Sequence, residues 1–225
     1  CSGSDMSRTL MASALARMSL TEQSKAMIVT EGVIPPLAKM ISTGKLEGKT
    51  AALGALQNLS THPENRDPMI NAGVIPTLLQ VLVSVTSVSM NLKELAATTL
   101  ANLATATASN GDNISNSVDS EKGLNDMSNS GSGIGNIRDS GMDSRNILNS
   151  DDTILQLLSL LNLVGPINQG HLLRALNGMA SSPPTATLVR AKMREANAYQ
   201  LLLPFCEVKD VEIRVNAVKL LYKLS

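Results

Sequence analysis

The side chains able to do covalent or metal chemistry are few and poorly spaced. Histidine occurs twice, at His62 and His171, and cysteine twice, at Cys1 and Cys206. Neither Cys-x-x-Cys nor His-Glu-x-x-His occurs, so neighbouring residues do not make up a tetrahedral zinc set. No Gly-x-x-x-x-Gly-Lys-Ser or Gly-x-Gly-x-x-Gly follows a strand pattern, so no phosphate-cradling loop is read. Gly131, Gly133 and Gly135 form a Gly-rich run, but inside a Ser/Asn/Gly stretch that reads as linker. Asp119, Asp126 and Asp139 lack the order of a calcium-binding loop. The sequence therefore reads as a chain without catalytic residues, metal ligands or cofactor, and not as an enzyme in itself.

Hydrogen bonding and charge remain. Asn58 and Asn102 lie in matching segments, Leu56-Gln57-Asn58-Leu59-Ser60 and Leu100-Ala101-Asn102-Leu103-Ala104. An amide both donates and accepts, so a column of Asn suits the main chain of an extended peptide; it equally suits capping of its own helix. The same column carries Arg17, Gly178 and Lys223, and one turn earlier come Gly54, Thr98, Arg174 and Lys219. Arg17, Lys49, Lys93 and Arg214 add basic charge to these helices, and Arg190, Lys192 and Arg194 cluster nearby. Singly these read as solvated cations; as a set they suit an acidic peptide or anionic lipid head groups. The expected site is a groove in which Asn58, Asn102, Arg174, Lys219 and Lys223 hold an extended, partly acidic segment of a protein partner. Nucleic acid is disfavoured, because net charge is zero and aromatics are 1% of the chain.

The elements that must position these residues are repeated. Gly32-Val33-Ile34-Pro35 recurs as Gly73-Val74-Ile75-Pro76, 41 positions later. Such a period in apolar helical sequence marks an α-solenoid of stacked helical units. In one unit a short helix ends near Glu31 and Gly32 takes the left-handed conformation that turns the chain. Pro35 then opens a second helix, where its missing N–H is not needed. A polar loop over 42–48 leads to a last helix over 49–60. The apolar columns of that last helix read Met11, Ala12, Leu15, Met18; then Ala52, Leu53, Leu56, Leu59; then Ala96, Ala97, Leu100, Leu103; then Leu172, Leu173, Leu176, Met179; then Ala217, Val218, Leu221, Leu224. An ordinary bundle would not keep that register. Units this small cannot bury their apolar faces alone and must stack. The fold class expected is all-α, an armadillo-type right-handed α-solenoid with a disordered insert.

Along the chain, 1–20 reads as the last helix of a truncated unit, and 21–60 and 61–104 as complete units. Residues 105–150 are Ser, Asn, Gly and Asp with scattered apolar positions, a composition that predicts disorder. Asp151 and Asp152 are expected to cap a helix that resumes the pattern. Residues 151–181 read as an incomplete unit with a loop over 165–170, and 182–225 as another unit. In that last unit Glu195-Ala196-Asn197-Ala198-Tyr199 stands where Asn71-Ala72-Gly73-Val74-Ile75 stood. Asn197 replaces glycine, and Asn is the next best residue for a left-handed cap. No apolar run is long enough to cross a membrane, no signal peptide is visible, and Cys206 reads as a small core residue. These features point to an intracellular, cytoplasmic setting, with nuclear or membrane-peripheral placement as alternatives. The start at Cys1 inside the repeat pattern reads as a piece of a longer protein.

Gly-Val-Ile-Pro-x-Leu followed by Ala-x-x-Ala-Leu-x-Asn-Leu-Ser resembles the armadillo family. The last third resembles the armadillo region of plant U-box E3 ubiquitin ligases, through His171-Leu172-Leu173-Arg174-Ala175-Leu176-Asn177-Gly178-Met179, Arg190-Ala191-Lys192-Met193-Arg194-Glu195-Ala196 and Val218-Lys219-Leu220-Leu221-Tyr222-Lys223-Leu224. That resemblance implies a protein-protein interaction module that binds a ubiquitination substrate or regulator, while a U-box outside this sequence recruits the conjugating enzyme. The alternative is an armadillo scaffold or adaptor without ligase activity; the sequence before Cys1 separates the two. Nuclear-import receptors of this family pair their Asn with Trp, and this chain has none.

Overall fold

The computed structural model describes residues 4–84, 90–105, 147–183 and 185–225, and among these it contains helices and no strand. The elements are α1 (Asp5–Arg17), α2 (Glu22–Thr30), α3 (Ile34–Thr43), α4 (Leu46–Ser60), a 3-10 turn (Pro63–Asn65) running into α5 (Arg66–Asn71), α6 (Val74–Val83), α7 (Met90–Thr105), α8 (Asp151–Leu160), α9 (Pro166–Met179), α10 (Ala186–Glu195), α11 (Ala198–Leu202) with a 3-10 turn (Leu203–Cys206), and α12 (Val211–Leu224).

Three corners set the geometry. Gly32 and Gly73 both have φ +78, and among the described residues Asn197 is the non-glycine residue with positive φ, at +57. Each donates its N–H three residues back, to Val29, Ile70 and Arg194 respectively, at 3.0 Å. A Cβ at Gly32 or Gly73 would meet nothing within 4 Å, so conformation and not crowding selects glycine there. The next helix starts at once, and Ile34, Val74 and Ala198 bury its first turn.

These corners put the last helices of successive units side by side. α1 packs on α4, α4 on α7, α7 on α9 and α9 on α12. The second helices form a parallel row, α3 on α6 and α6 on α8. Ala52, Leu53, Leu56 and Leu59, Ala96, Ala97, Leu100 and Leu103, and Leu172, Leu173, Leu176 and Met179 are all 0% exposed. In the outer helices the columns are only half covered: Ala12, Ala217 and Leu224 are buried, whereas Met11, Met18 and Val218 are exposed. Among the described residues each outer helix packs on one neighbouring last helix, α1 on α4 and α12 on α9. Cys206 is a free thiol packed against the core.

Several boundaries differ from those read in the sequence. α3 continues to Thr43 and α4 begins at Leu46, so the expected loop over 42–48 shrinks to Gly44 and Lys45. Thr43 extends the helix by bonding its hydroxyl to Lys39 O at 2.9 Å. α9 likewise starts at Pro166, inside the loop expected over 165–170, because Pro is accepted in a first helical turn. Ser150, not Asp151 or Asp152, is the N-cap of α8, its hydroxyl accepting the Thr153 N–H at 3.3 Å. The second helix of the last unit breaks into α11 and a 3-10 turn at Pro204, which has no N–H to give. The insert expected over 105–150 lies largely outside the described residues. At its edges Thr105 is helical, Leu148 is in the core, and the Asn149 amide donates to Thr185 Oγ1 at 2.8 Å.

Candidate functional site

The column that holds Asn58 and Asn102 has one geometric task along the stack. The Asn58 amide donates to Leu15 O at 2.7 Å and Met18 O at 3.0 Å, carbonyls at the C-terminal end of α1. Those carbonyls have no partner within their own helix. Asn102 reaches the end of α4 through a hydroxyl, donating to Ser60 Oγ at 3.1 Å, which in turn donates to Gln57 O at 2.7 Å. Lys223 reaches the end of α9, donating to Ser181 Oγ at 2.6 Å, Asn177 Oδ1 at 3.1 Å and Asn177 O at 3.2 Å. Each side chain caps the helix of the preceding unit. Neither reading of the column from sequence, peptide contact or capping of its own helix, describes that bond.

Gly178 interrupts this column. A Cβ there would sit 2.6 Å from Ala104 O and 3.1 Å from Thr105 Cα. The backbones of α9 and α7 are too close for any side chain, so Asn cannot recur. Gly54 is a milder case, with a Cβ 2.9 Å from Ala16 Cβ. Asn177, one position before Gly178, takes over the linking, its amide donating to Leu173 O at 3.1 Å and across to Asn216 O of α12 at 2.7 Å.

A second cationic row was not recognised from the sequence. Lys25, Arg66 and Arg190 each stand seven positions before a left-handed residue. Lys25 Nζ donates to Thr61 Oγ1 at 2.7 Å, Arg66 Nε to Leu103 O at 2.8 Å and Arg190 Nε to Ala180 O at 2.8 Å. All three targets lie at the C-terminal end of a last helix, where positive charge is favoured. Their equal offset from Gly32, Gly73 and Asn197 was a signal available in the sequence.

The structure brings some of the predicted site residues together. Arg174 Nη2 donates to Asn102 Oδ1 at 3.3 Å, while its buried Nε has no hydrogen-bond partner among the described residues. Lys219 and Lys223 are one turn apart on α12; Lys219 is exposed and Lys223 is half-buried. Burial, then the nearby charges of Arg190 and Lys219, push the Lys223 ammonium below its ordinary pKa. Asn58, on α4, lies one last helix before Asn102, two before Arg174 and three before Lys219 and Lys223. Next to Arg174, burial and the guanidinium lower the His171 pKa, partly opposed by Glu212 and Glu94.

A separate opening lies elsewhere on the same helices. A groove of about 450 Å³ crosses α1, α4 and α7, lined among others by Arg17, Glu47, Thr50, Gly54, Gln57 and Asn91. Its floor is small side chains, and both charge signs and amides line its walls. Among the described residues no group of His, Cys, Asp and Glu is arranged to hold a metal ion, and no helix is long and apolar enough to cross a membrane.

Residues 21–61 and 62–105 match the armadillo/beta-catenin-like repeat. Over 99% of its length the chain is 35% identical to U-box domain-containing protein 24 of Oryza sativa subsp. japonica, covering 26% of that protein. It is 29% identical to U-box domain-containing protein 43 of Arabidopsis thaliana, covering 24% of it. The chain thus spans about a quarter of the length of these relatives. Among solved structures, computationally designed armadillo repeat proteins for modular peptide recognition superpose with a TM-score of 0.71 at 17% identity, over 99% of this chain and 78% of the other. An engineered protein superposes with a TM-score of 0.70 at 18% identity, over 99% and 76%. The fold is an armadillo-repeat solenoid.

Proposed function

We propose that this armadillo-repeat solenoid is the substrate- or regulator-binding arm of a U-box ubiquitin ligase, and that it holds an extended polypeptide along the face of its last helices. The observation that carries the reading is the groove across α1, α4 and α7, because it is open, continuous with the helix stack and lined by polar side chains such as Gln57 and Asn91. Extended peptides gain affinity from main-chain hydrogen bonds and selectivity from side chains at the rim. Of the residues read from sequence, Arg174, Lys219 and Lys223 place positive charge farther along the same stack. Asn58 commits two amide donations and Asn102 one to the fold.

The similarity to the rice and Arabidopsis U-box proteins supports the ligase context, in which ubiquitin transfer takes place outside this region. Filling the groove with the double substitution Thr50→Met and Gln57→Met tests the binding role. Peptide-array binding by the chain is expected to fall about tenfold, a loss of roughly 1.4 kcal/mol, with the melting temperature held. In the full-length protein the same pair should lower substrate ubiquitination and spare ubiquitin discharge from a conjugating enzyme. Unchanged peptide binding by a folded double variant would remove the groove from the proposal.

A further inference from the structure

Arg190, Lys219 and Lys223 gather at the C-terminal ends of α9 and α12, away from the groove across α1, α4 and α7. Arg190 is held by Ala180 O and Lys223 by Ser181 Oγ, so two cationic heads sit on adjacent residues. Lys219 is one turn before Lys223 and exposed. Among the described residues none of the three makes an ion pair, whereas Lys25, Arg66 and Lys192 each have a carboxylate partner.

Helix capping explains part of this cluster. A helix C-terminus carries about half an elementary negative charge. That accounts for the anchoring of Arg190 and Lys223 at α9, and it leaves an excess of roughly two positive charges. Like charges held together cost free energy while the cluster is empty, and the Lys223 pKa is lowered by both neighbours as well as by burial. The terminal guanidinium nitrogens of Arg190 and the Lys219 ammonium have no hydrogen-bond partner among the described residues. Lys223 directs its donors to Asn177 and Ser181 and supplies charge from behind.

We propose that Arg190, Lys219 and Lys223 form an anion site that takes a phosphoryl group carried on a side chain of a partner protein. A dianion matches the excess charge better than a single carboxylate. The guanidinium fork offers paired donors to phosphate oxygens, and Lys219 adds a mobile ammonium. Polypeptide is favoured as the carrier because the cluster lies on the same helix stack as the proposed peptide groove. The inference rests on the polypeptide-binding reading for the carrier, though not on the groove itself.

The test uses the full chain and a labelled Gly/Ser peptide with one phosphoserine, beside its unphosphorylated twin. Fluorescence anisotropy at low salt should show about tenfold tighter binding of the phosphopeptide, the worth of one charge-assisted contact. Lys219→Glu, an exposed position, should abolish that preference without moving the melting temperature, and Arg190→Gln should weaken it. The groove-filling pair Thr50→Met and Gln57→Met should leave it intact, so failure of the groove and failure of this site read differently. Equal binding of the two peptides, or a preference that survives Lys219→Glu, overturns the proposal. Vesicles of phosphatidylcholine and phosphatidylserine form the second arm: recruitment that is lost in Lys219→Glu, with no peptide preference, assigns the cluster to a membrane surface instead.

Discussion

Asn197 carries a conformational cost that Gly32 and Gly73 do not, because its Cβ occupies the left-handed region at φ +57. Asn197→Gly is therefore expected to leave stability within about 0.5 kcal/mol, while Asn197→Val should lose roughly 1–2 kcal/mol. Urea denaturation distinguishes the two, and equal midpoints would refute the corner assignment. Gly178 obeys the opposite logic, since space and not conformation selects it. A Cβ placed 2.6 Å from a backbone oxygen must push α9 from α7, so Gly178→Ala should cost about 1–3 kcal/mol. His171 adds a pH response. Its folded-state pKa lies below the ordinary 6.5, so the unfolded chain takes up the proton first. Its contribution to stability is complete above pH 6.5 and is lost as pH falls from there through the depressed folded value. His171→Gln should flatten that part of the stability profile; an unchanged slope would place its origin elsewhere.

At the scale of elements, two rows of polar side chains reach the C-terminal ends of the last helices; both rows reach α4 and α9, the first alone reaches α1 and the second alone reaches α7. One comes from the neighbouring last helix, through Asn58, Asn102 and Lys223. The other comes from first helices, through Lys25, Arg66 and Arg190. Arg66 is 5% exposed and bonds Leu103 O, so Arg66→Met leaves a helix-end carbonyl with one donor fewer. Loss of a charged donor of this kind is expected to cost about 1.5–3 kcal/mol by thermal melting; no change would mean that the row is dispensable. The apolar columns were legible in the sequence because burial selects one property at one spacing, as Leu53, Leu100 and Leu176 show. The corners at Gly32, Gly73 and Asn197 were legible because so few residues tolerate left-handed backbone. The partners of the polar columns were not. Asn58 as a residue type is equally suited to a peptide, its own helix or a neighbour, and only the packing of α1 against α4 decides. Helix starts at Leu46 and Pro166 were missed for a related reason: polar residues in a first turn resemble a loop until the helix behind them is seen.

For the whole molecule, the stack is held across the long interruption by helix packing and not by short-range sequence. α7 ends at Thr105 and α9 begins at Pro166, yet they form one of the tightest interfaces in the stack, with Gly178 seated on Ala104 and with Leu100, Leu103, Leu172, Leu176 and Met179 fully buried. α6 against α8 extends the same contact on the second-helix side. Burying a large apolar side chain is worth about 1.5–3 kcal/mol, so several such residues suffice to offset the cost of bringing two chains together. Co-expressed fragments 1–105 and 147–225 are accordingly expected to co-purify as a helical complex through size exclusion. Leu176→Asp, which puts a carboxylate at a position that is 0% exposed, should abolish the complex and cost the intact chain about 4 kcal/mol or more. Leu188→Asp serves as the control, because Leu188 is 55% exposed and its charge meets solvent. Fragments that elute separately, or a complex that tolerates Leu176→Asp, would show that the two halves are joined only by the chain and not by a shared solenoid core.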